Sequence, residues 1–347
     1  MDLSSLFRRA KQEESVAFID LAADSVAGAY VRFEEGQPPT LLYTRRLPIE
    51  ARTGEPPERG LFRALRVLGD ALVREGAPVL LRSTGSGSVD AILVSADTPW
   101  QETRVQKERF ERTEPFVFTR GMVTEALERE RKIPPGKRLA DESVIGTVLN
   151  GYETRNPYGR KVKRATVIVL TSYLEERIAE GVTSMIRSIF HARASLFIAG
   201  SSLRYQVIRV AFAPEREALI LDATGPLVSV ALVRGGLFVA LSELPEARTR
   251  SWTEVVIAEC ASLAEQYPLP RTIFLLARDT KAEEVKQELS LADFKGLWLS
   301  DESPKIVPVL ASHLVSMVRQ ASAAPPDLQL ILMALFYQQR ASSGARG

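Results

Sequence analysis

The 347-residue chain has one cysteine, Cys260, and two histidines, His191 and His313. A lone cysteine makes no disulfide within the chain, which excludes a disulfide-stapled secreted domain. Three scattered Cys and His residues offer none of the ligand spacings of a zinc site, so only carboxylate metal sites stay open. A Ser-His-Asp hydrolase would need one of the two histidines, and neither stands in a recognisable motif. Long apolar runs are also missing. The charge-free stretches Ile306–Val318 and Leu328–Gln339 fall short of the roughly 18 residues of a membrane span. The first nine residues lack the apolar centre of a signal peptide, so a cytoplasmic location is expected. Excess charge of one sign is small. The 45 basic and 43 acidic residues give +2, which argues against a nucleic-acid footprint over the whole surface. What is present is ordinary globular composition, 45% hydrophobic and 25% charged, at a length that suggests about two domains.

The organisation repeats. Val16–Leu21, Val26–Phe33 and Leu41–Leu47 read as strands, with Gly36, Pro38 and Pro39 punctuating the second turn. Pro56-Pro57 opens a helix over about Glu58–Arg74 whose Leu61, Leu65, Leu68 and Leu72 share one face. A loop, Ser83–Ser88, and a fourth strand, Val89–Ser95, complete a β-β-β-α-β unit. About 200 residues on, the same order returns: Ala218–Asp222, Leu227–Val233, Leu237–Leu241, a helix over Thr253–Gln266 and a strand at Thr272–Leu276. Each copy opens with an apolar strand ending in aspartate, Asp20 and Asp222. Such a repeat predicts two related α/β lobes around a cleft.

Between the copies lies a different module, read as an α+β insertion over residues 98–190. Glu114–Thr119 leads into a charged helix, Arg120–Lys132. Strands at Glu142–Leu149 and Val162–Thr171 flank the loop Asn150–Lys161, and a helix follows at Tyr173–Phe190. The expected division is 1–97 for the first lobe, completed by 191–212 and 304–340, with 213–303 as the second. Pro304–Gln320 and Pro326–Arg340 are expected to be two closing helices. At the N-terminus Leu3, Leu6, Phe7 and Ala10 fall on one helical face beside Arg8, Arg9 and Lys11. That pattern suits either a frayed end or a contact with a membrane surface or partner.

Two strand-end segments and one loop carry a resemblance. Val16-Ala17-Phe18-Ile19-Asp20-Leu21-Ala22-Ala23-Asp24-Ser25 and Leu221-Asp222-Ala223-Thr224-Gly225-Pro226 resemble the two phosphate loops of the FtsA/PilM-like family of bacterial actin-like ATPases. Asn156-Pro157-Tyr158-Gly159 resembles the Asn-Pro-x-Gly turn of the inserted FtsA subdomain. The basic leader with Leu3, Leu6, Phe7, Arg8 and Arg9 is more similar to the PilM branch and marks those residues as candidates for partner or membrane contact. The resemblance implies an actin-like fold of duplicated RNase H-like lobes with a small α+β insertion. It implies a cytoplasmic scaffold at the inner face of the membrane, in type IV pilus assembly or cell division. The implied partner is a membrane-anchored pilus or division protein, bound through its cytoplasmic tail, with self-association as a further property. Its ligands would be ATP and Mg²⁺, held by Asp20, Ser25, Asp222, Thr224 and Gly225, with Asp20 and Asp222 reaching the metal through water.

The loops depart from that pattern. Ala22 replaces a glycine, Ser25 stands where lysine is usual, and Asp24 adds negative charge where phosphate would lie. Thr224 and Pro226 replace glycines, and Pro226 has no N–H to offer. The Gly-Gly pair expected after Phe274-Leu275-Leu276 is Ala277-Arg278, although Arg278 could itself meet a phosphate. A hydrogen bond to a charged group contributes about 1.5–3 kcal/mol. Losing three removes roughly 5–9 kcal/mol, against about 8 kcal/mol for a whole micromolar affinity. A degenerate site is therefore expected, a pseudo-ATPase with no catalytic residue. Asp20 and Asp222 have two readings, turn caps at strand ends or a remnant Mg²⁺ site. The alternatives are a competent, filament-forming FtsA-like ATPase and a small-molecule kinase of the same fold, for which no base or substrate motif is visible. Arg155, Arg160, Lys161, Lys163 and Arg164 read as a solvated basic hairpin, and Cys260 and His313 as packed residues.

Overall fold

The computed structural model describes residues 13–344, apart from 132, 155, 191–193, 226, 245–250, 279, 299–301 and 322. The leader with Leu3, Leu6, Phe7, Arg8 and Arg9 lies outside the described residues, as do Arg155 and His191.

The first lobe starts with strands β1 (Glu13–Leu21), β2 (Ser25–Glu34) and β3 (Thr40–Pro48). Helix α1 (Pro57–Ala71) follows, a π-turn at Leu72–Gly76 links it to α2 (Ala77–Thr84), and β4 is Ala91–Ala96. The helical segment thus runs ten residues past the expected end at Arg74, into part of the expected loop. The insertion contains β5 (Gln101–Val117), α3 (Arg120–Glu130), β6 (Lys137–Leu149), β7 (Tyr152–Glu153) and β8 (Lys161–Glu175). Then come α4 (Glu176–Ile189), β9 (Ala194–Ala199) and α5 (Gly200–Ala211). The second lobe has β10 (Ala218–Asp222), β11 (Ser229–Arg234), β12 (Leu237–Glu243), α6 (Trp252–Ala264), β13 (Thr272–Leu276), α7 (Ala282–Ser290) and β14 (Lys305–Val309). Last are α8 (Ala311–Leu314), a 3₁₀ turn, β15 (Arg319–Gln320) and α9 (Leu328–Gly344).

The two large sheets repeat one topology. Their orders are β15-β3-β2-β1-β4-β9 and β12-β11-β10-β13-β14. Setting β15 aside, each lobe has strand order 3-2-1-4-5. In each, the first three strands are antiparallel and the fourth and fifth add in parallel. This is the RNase H-like lobe, present twice. Its first strands are apolar almost throughout because helices cover both faces. On one face of the first sheet Leu61, Leu65, Leu68 and Leu72 of α1 pack with Ile178, Val182 and Ile186 of α4. Each such side chain contributes roughly 1.5–3 kcal/mol by leaving water. The other face joins a core shared between lobes, where Leu203 and Ile208 of α5 and Ile331 and Leu335 of α9 meet Phe18, Ile220 and Phe274.

Three expectations need correction. Helix α4, expected inside the insertion, packs in the core of the first lobe and is its crossover to β9, so the inserted sheet closes at Glu175. Lys305–Val309, expected in a helix of the first lobe, is the fifth strand of the second, paired with β13. Thr272–Leu276 leaves an open edge there, and the short β-branched run Ile306-Val307 fills it. His313 is exposed, and its Nδ1 accepts the Leu310 N–H at 3.3 Å. Cys260 is buried in the second lobe, and burial pushes its thiol up to about 12.

Candidate functional site

The cleft is built at strand ends. Chain reversal between β1 and β2 is a tight turn in which the Ala22 N–H donates to the Ser25 carbonyl at 2.9 Å. That N–H is therefore spent inside the turn. The Trp100 indole donates to the Ala22 carbonyl at 2.7 Å and pins the turn from below. In the second lobe the Asp222 carboxylate caps its own turn, accepting from the Thr224 N–H at 3.1 Å and the Thr224 hydroxyl at 2.6 Å. The turn-cap reading of Asp222 thus describes one of its two oxygens.

A cavity of about 410 Å³ lies between the lobes, with Asp20, Ser25 and Thr224 on its wall. Asp222 and Gly225 sit behind it, around an adjoining void of about 20 Å³ next to Glu243. Gly225 cradles nothing. A Cβ there would meet only the Leu227 carbonyl oxygen, at an ordinary 3.8 Å.

What the sequence reading missed is two arginines, Arg46 and Arg204. Arg46 of β3 donates to Asp20 Oδ2 at 3.0 Å, to Ser25 Oγ at 3.0 Å and, in bidentate fashion, to Asp327 at 2.6 and 3.0 Å. Arg204, the fifth residue of α5, is 4% exposed. Its two Nη atoms each donate to one oxygen of Asp97 at 2.9 Å, and its Nε donates to Asp222 Oδ2 at 2.7 Å. Asp97 follows β4, so one guanidinium joins strand-end acids of both lobes. At the rim Arg278 pairs with Asp24 and donates from Nε to the Thr224 carbonyl at 3.3 Å. Arg278, which the sequence offers as a group to meet a phosphate, thus lines the cavity paired with an exposed acid.

The electrostatics follow from burial. Burial disfavours charge on Arg204, but Asp222 and Asp97 outweigh it and hold the guanidinium above its ordinary pKa. The same balance, with Asp20 and Asp327, raises Arg46. Burial pushes Asp20 up to about 6, against the pull of Arg46 and with help from Asp97 and Asp327. Its Oδ1 is buried with no hydrogen-bond partner in the structure. Burial also pushes Glu243 up to about 7. The pocket for the Asp97–Arg204 pair is shaped by Gly200, where a Cβ would stand 2.3 Å from Asp97 Oδ1.

This donor set does not suit hydrated Mg²⁺. Both oxygens of Asp222 and Oδ2 of Asp20 are already taken, by Arg204 and Thr224 and by Arg46, which leaves Asp20 Oδ1 as the one carboxylate oxygen of the pair without a partner. Among the described residues no group of three or more His, Cys, Asp or Glu side chains is arranged to hold a metal ion. Four carboxylates, Asp20, Asp97, Asp222 and Asp327, face two guanidiniums, Arg46 and Arg204, for a formal −2 that opposes a polyphosphate. Asp97 had a sequence signal, a third apolar strand ending in aspartate. Arg46, Arg204 and Asp327 had none, because they meet the acids only through tertiary packing.

No protein-family model matches the chain, and no curated protein matches it in sequence. Solved structures do. The chain is similar to a PilM–PilN type IV pilus biogenesis complex at 14% identity and TM-score 0.52, over 95% of this chain and 98% of that one. It is also similar to a Bacteroides thetaiotaomicron protein with an actin-like ATPase fold and unknown function, at 8% identity and TM-score 0.46, over 97% and 99%. A third is the cytoplasmic domain of EpsL, an inner membrane component of the Vibrio cholerae type II secretion system, at 10% identity and TM-score 0.38, over 95% of each chain. At such identities the likeness speaks for the fold alone. With the 3-2-1-4-5 sheet present in both lobes, and the likeness to the PilM–PilN structure over nearly the whole chain, the fold is the expected actin-like one.

Proposed function

We propose that this chain is a cytoplasmic scaffold on the actin-like fold, of the FtsA/PilM type, with a degenerate nucleotide site. It works by binding protein at the inner face of a membrane, in pilus assembly or a related secretion machine. Its partner is a membrane-anchored protein, gripped by its cytoplasmic tail. Likeness to the PilM–PilN complex supports the partner class. No helix among the described residues is long and apolar enough to cross a membrane.

The observation that carries the degenerate site is the buried Arg204, bonded to Asp97 and Asp222 where the resemblance calls for a metal and its nucleotide. Calorimetry of the purified chain with Mg-ATP, up to millimolar ligand, tests it. No heat of binding is expected. Saturable binding that disappears in Asp222→Ala would overturn this reading in favour of a filament-forming ATPase of the division type. The 410 Å³ cavity beside Ser25 and Thr224 is the feature that keeps this second reading worth testing.

A further inference from the structure

Resting on that reading, we infer that Arg204 is a built-in counter-cation that joins the two lobes, so that their relative angle is set without any ligand. In an ATPase of two lobes, a ligand between them bridges strand-end acids only while it is bound. Here the bridging cation is a side chain of the protein itself, held to the acids by hydrogen-bonded ion pairs. Arg204 belongs to α5, whose apolar residues pack in the core shared by both sheets. Its two Nη atoms hold Asp97 of the first lobe, and its Nε–H reaches Asp222 of the second. A planar guanidinium suits this task better than a lysine, because two parallel bonds to one carboxylate fix orientation as well as distance.

Two features show that the arrangement is built rather than incidental. Gly200 leaves the space that the Asp97–Arg204 pair occupies, since any Cβ would stand 2.3 Å from the carboxylate and 2.9 Å from Arg204 Nη1. Gln329 of α9 backs the pair, accepting from Arg204 Nη1 at 3.4 Å and donating to Ser95 Oγ at 3.1 Å. Two further connections run in parallel with it. At the rim Arg278 of the second lobe meets Asp24 of the first. On the far side the inserted sheet lies against the second lobe, where Gly146 of β6 approaches β12 so closely that a Cβ would stand 2.0 Å from the Phe238 carbonyl oxygen. Opening the cleft means separating all three. It also strips a buried guanidinium from two buried carboxylates, which is costly without a replacement cation.

The test is an interlobe distance measurement. Spin labels go on Glu35→Cys in the first lobe and Leu291→Cys in the second, both exposed, while the buried Cys260 stays unlabelled. Pulsed dipolar spectroscopy then reads the distance distribution. The labelled parent should give one narrow distribution that millimolar Mg-ATP does not move. Arg204→Met should widen it. The triple variant Arg204→Met, Asp97→Asn, Asp222→Asn removes the bridge without leaving buried charge, so it should fold and still be wide. A folded triple variant as narrow as the parent would overturn the inference and leave the scaffold reading standing. A shift of the parent distribution on adding Mg-ATP would overturn both.

Discussion

Removing Arg204 alone should be among the most damaging single changes in the chain. Asp97 and Asp222 are 7% and 3% exposed, and Arg204 is the cation bonded to both. Arg204→Met would leave two buried carboxylates without it. Breaking one buried pair in this way costs about 3–5 kcal/mol. Unfolding entropy near about 2.1 cal/mol/K per residue converts that to a fall in Tm of about 4–7 °C for a chain of this length melting as one unit. Calorimetric melts of wild type and variant measure this. Neutralising Asp97 and Asp222 as well should restore most of the lost Tm, because an uncharged triad leaves no orphan charge. A fall of less than about 1 °C in the single variant, or a triple variant no more stable than the single, would refute the electrostatic argument.

Two further outcomes follow from the same geometry. Gly200→Ala forces a methyl into the Asp97 carboxylate and should cost about 1–3 kcal/mol by overpacking, seen as a lower Tm, whereas equal stability would show that the pair tolerates displacement. Glu243 is pushed by burial up to about 7 from an ordinary 4.5. The native state keeps that proton longer than the unfolded chain does, so this group favours folding at low pH and its contribution is lost as pH climbs from about 4.5 through 7. Asp20, raised to about 6, acts in the same direction over a lower window. Glu243→Gln should flatten the decline in Tm between pH 5 and pH 8, and an unchanged slope would rule out Glu243 as its source.

The strands were legible where the sheet is covered on both faces. Phe18-Ile19-Asp20 and Leu219-Ile220-Leu221-Asp222 are continuous apolar runs because helices pack above and below them. Leu61, Leu65, Leu68 and Leu72 announced the first helix for the same reason. Strand β5 was hidden by its exposure. It is an edge strand of the inserted sheet, and its Arg109, Glu111, Arg112 and Glu114 face water, so no alternation survives to read. Lys305–Val309 was too short for its period to separate strand from helix, and only the open edge beside β13 decided it.

By itself the sequence determined the duplicated lobe, the inserted α+β segment and the two strand-end aspartates. Those features depend on local periodicity and on turns closed by neighbouring residues. What surrounds the aspartates was decided by the tertiary structure alone. Arg46 reaches Asp20 because β3 lies beyond β2 in the sheet, which brings together partners 26 positions apart. Arg204 reaches Asp97 across 107 residues of chain, most of them an insertion with its own sheet. A side-chain ion pair leaves no periodic trace, and an arginine in an apolar helix reads the same whether its charge meets water or an acid. Only the closed cleft, with water removed from both partners, makes that charge the centre of the site.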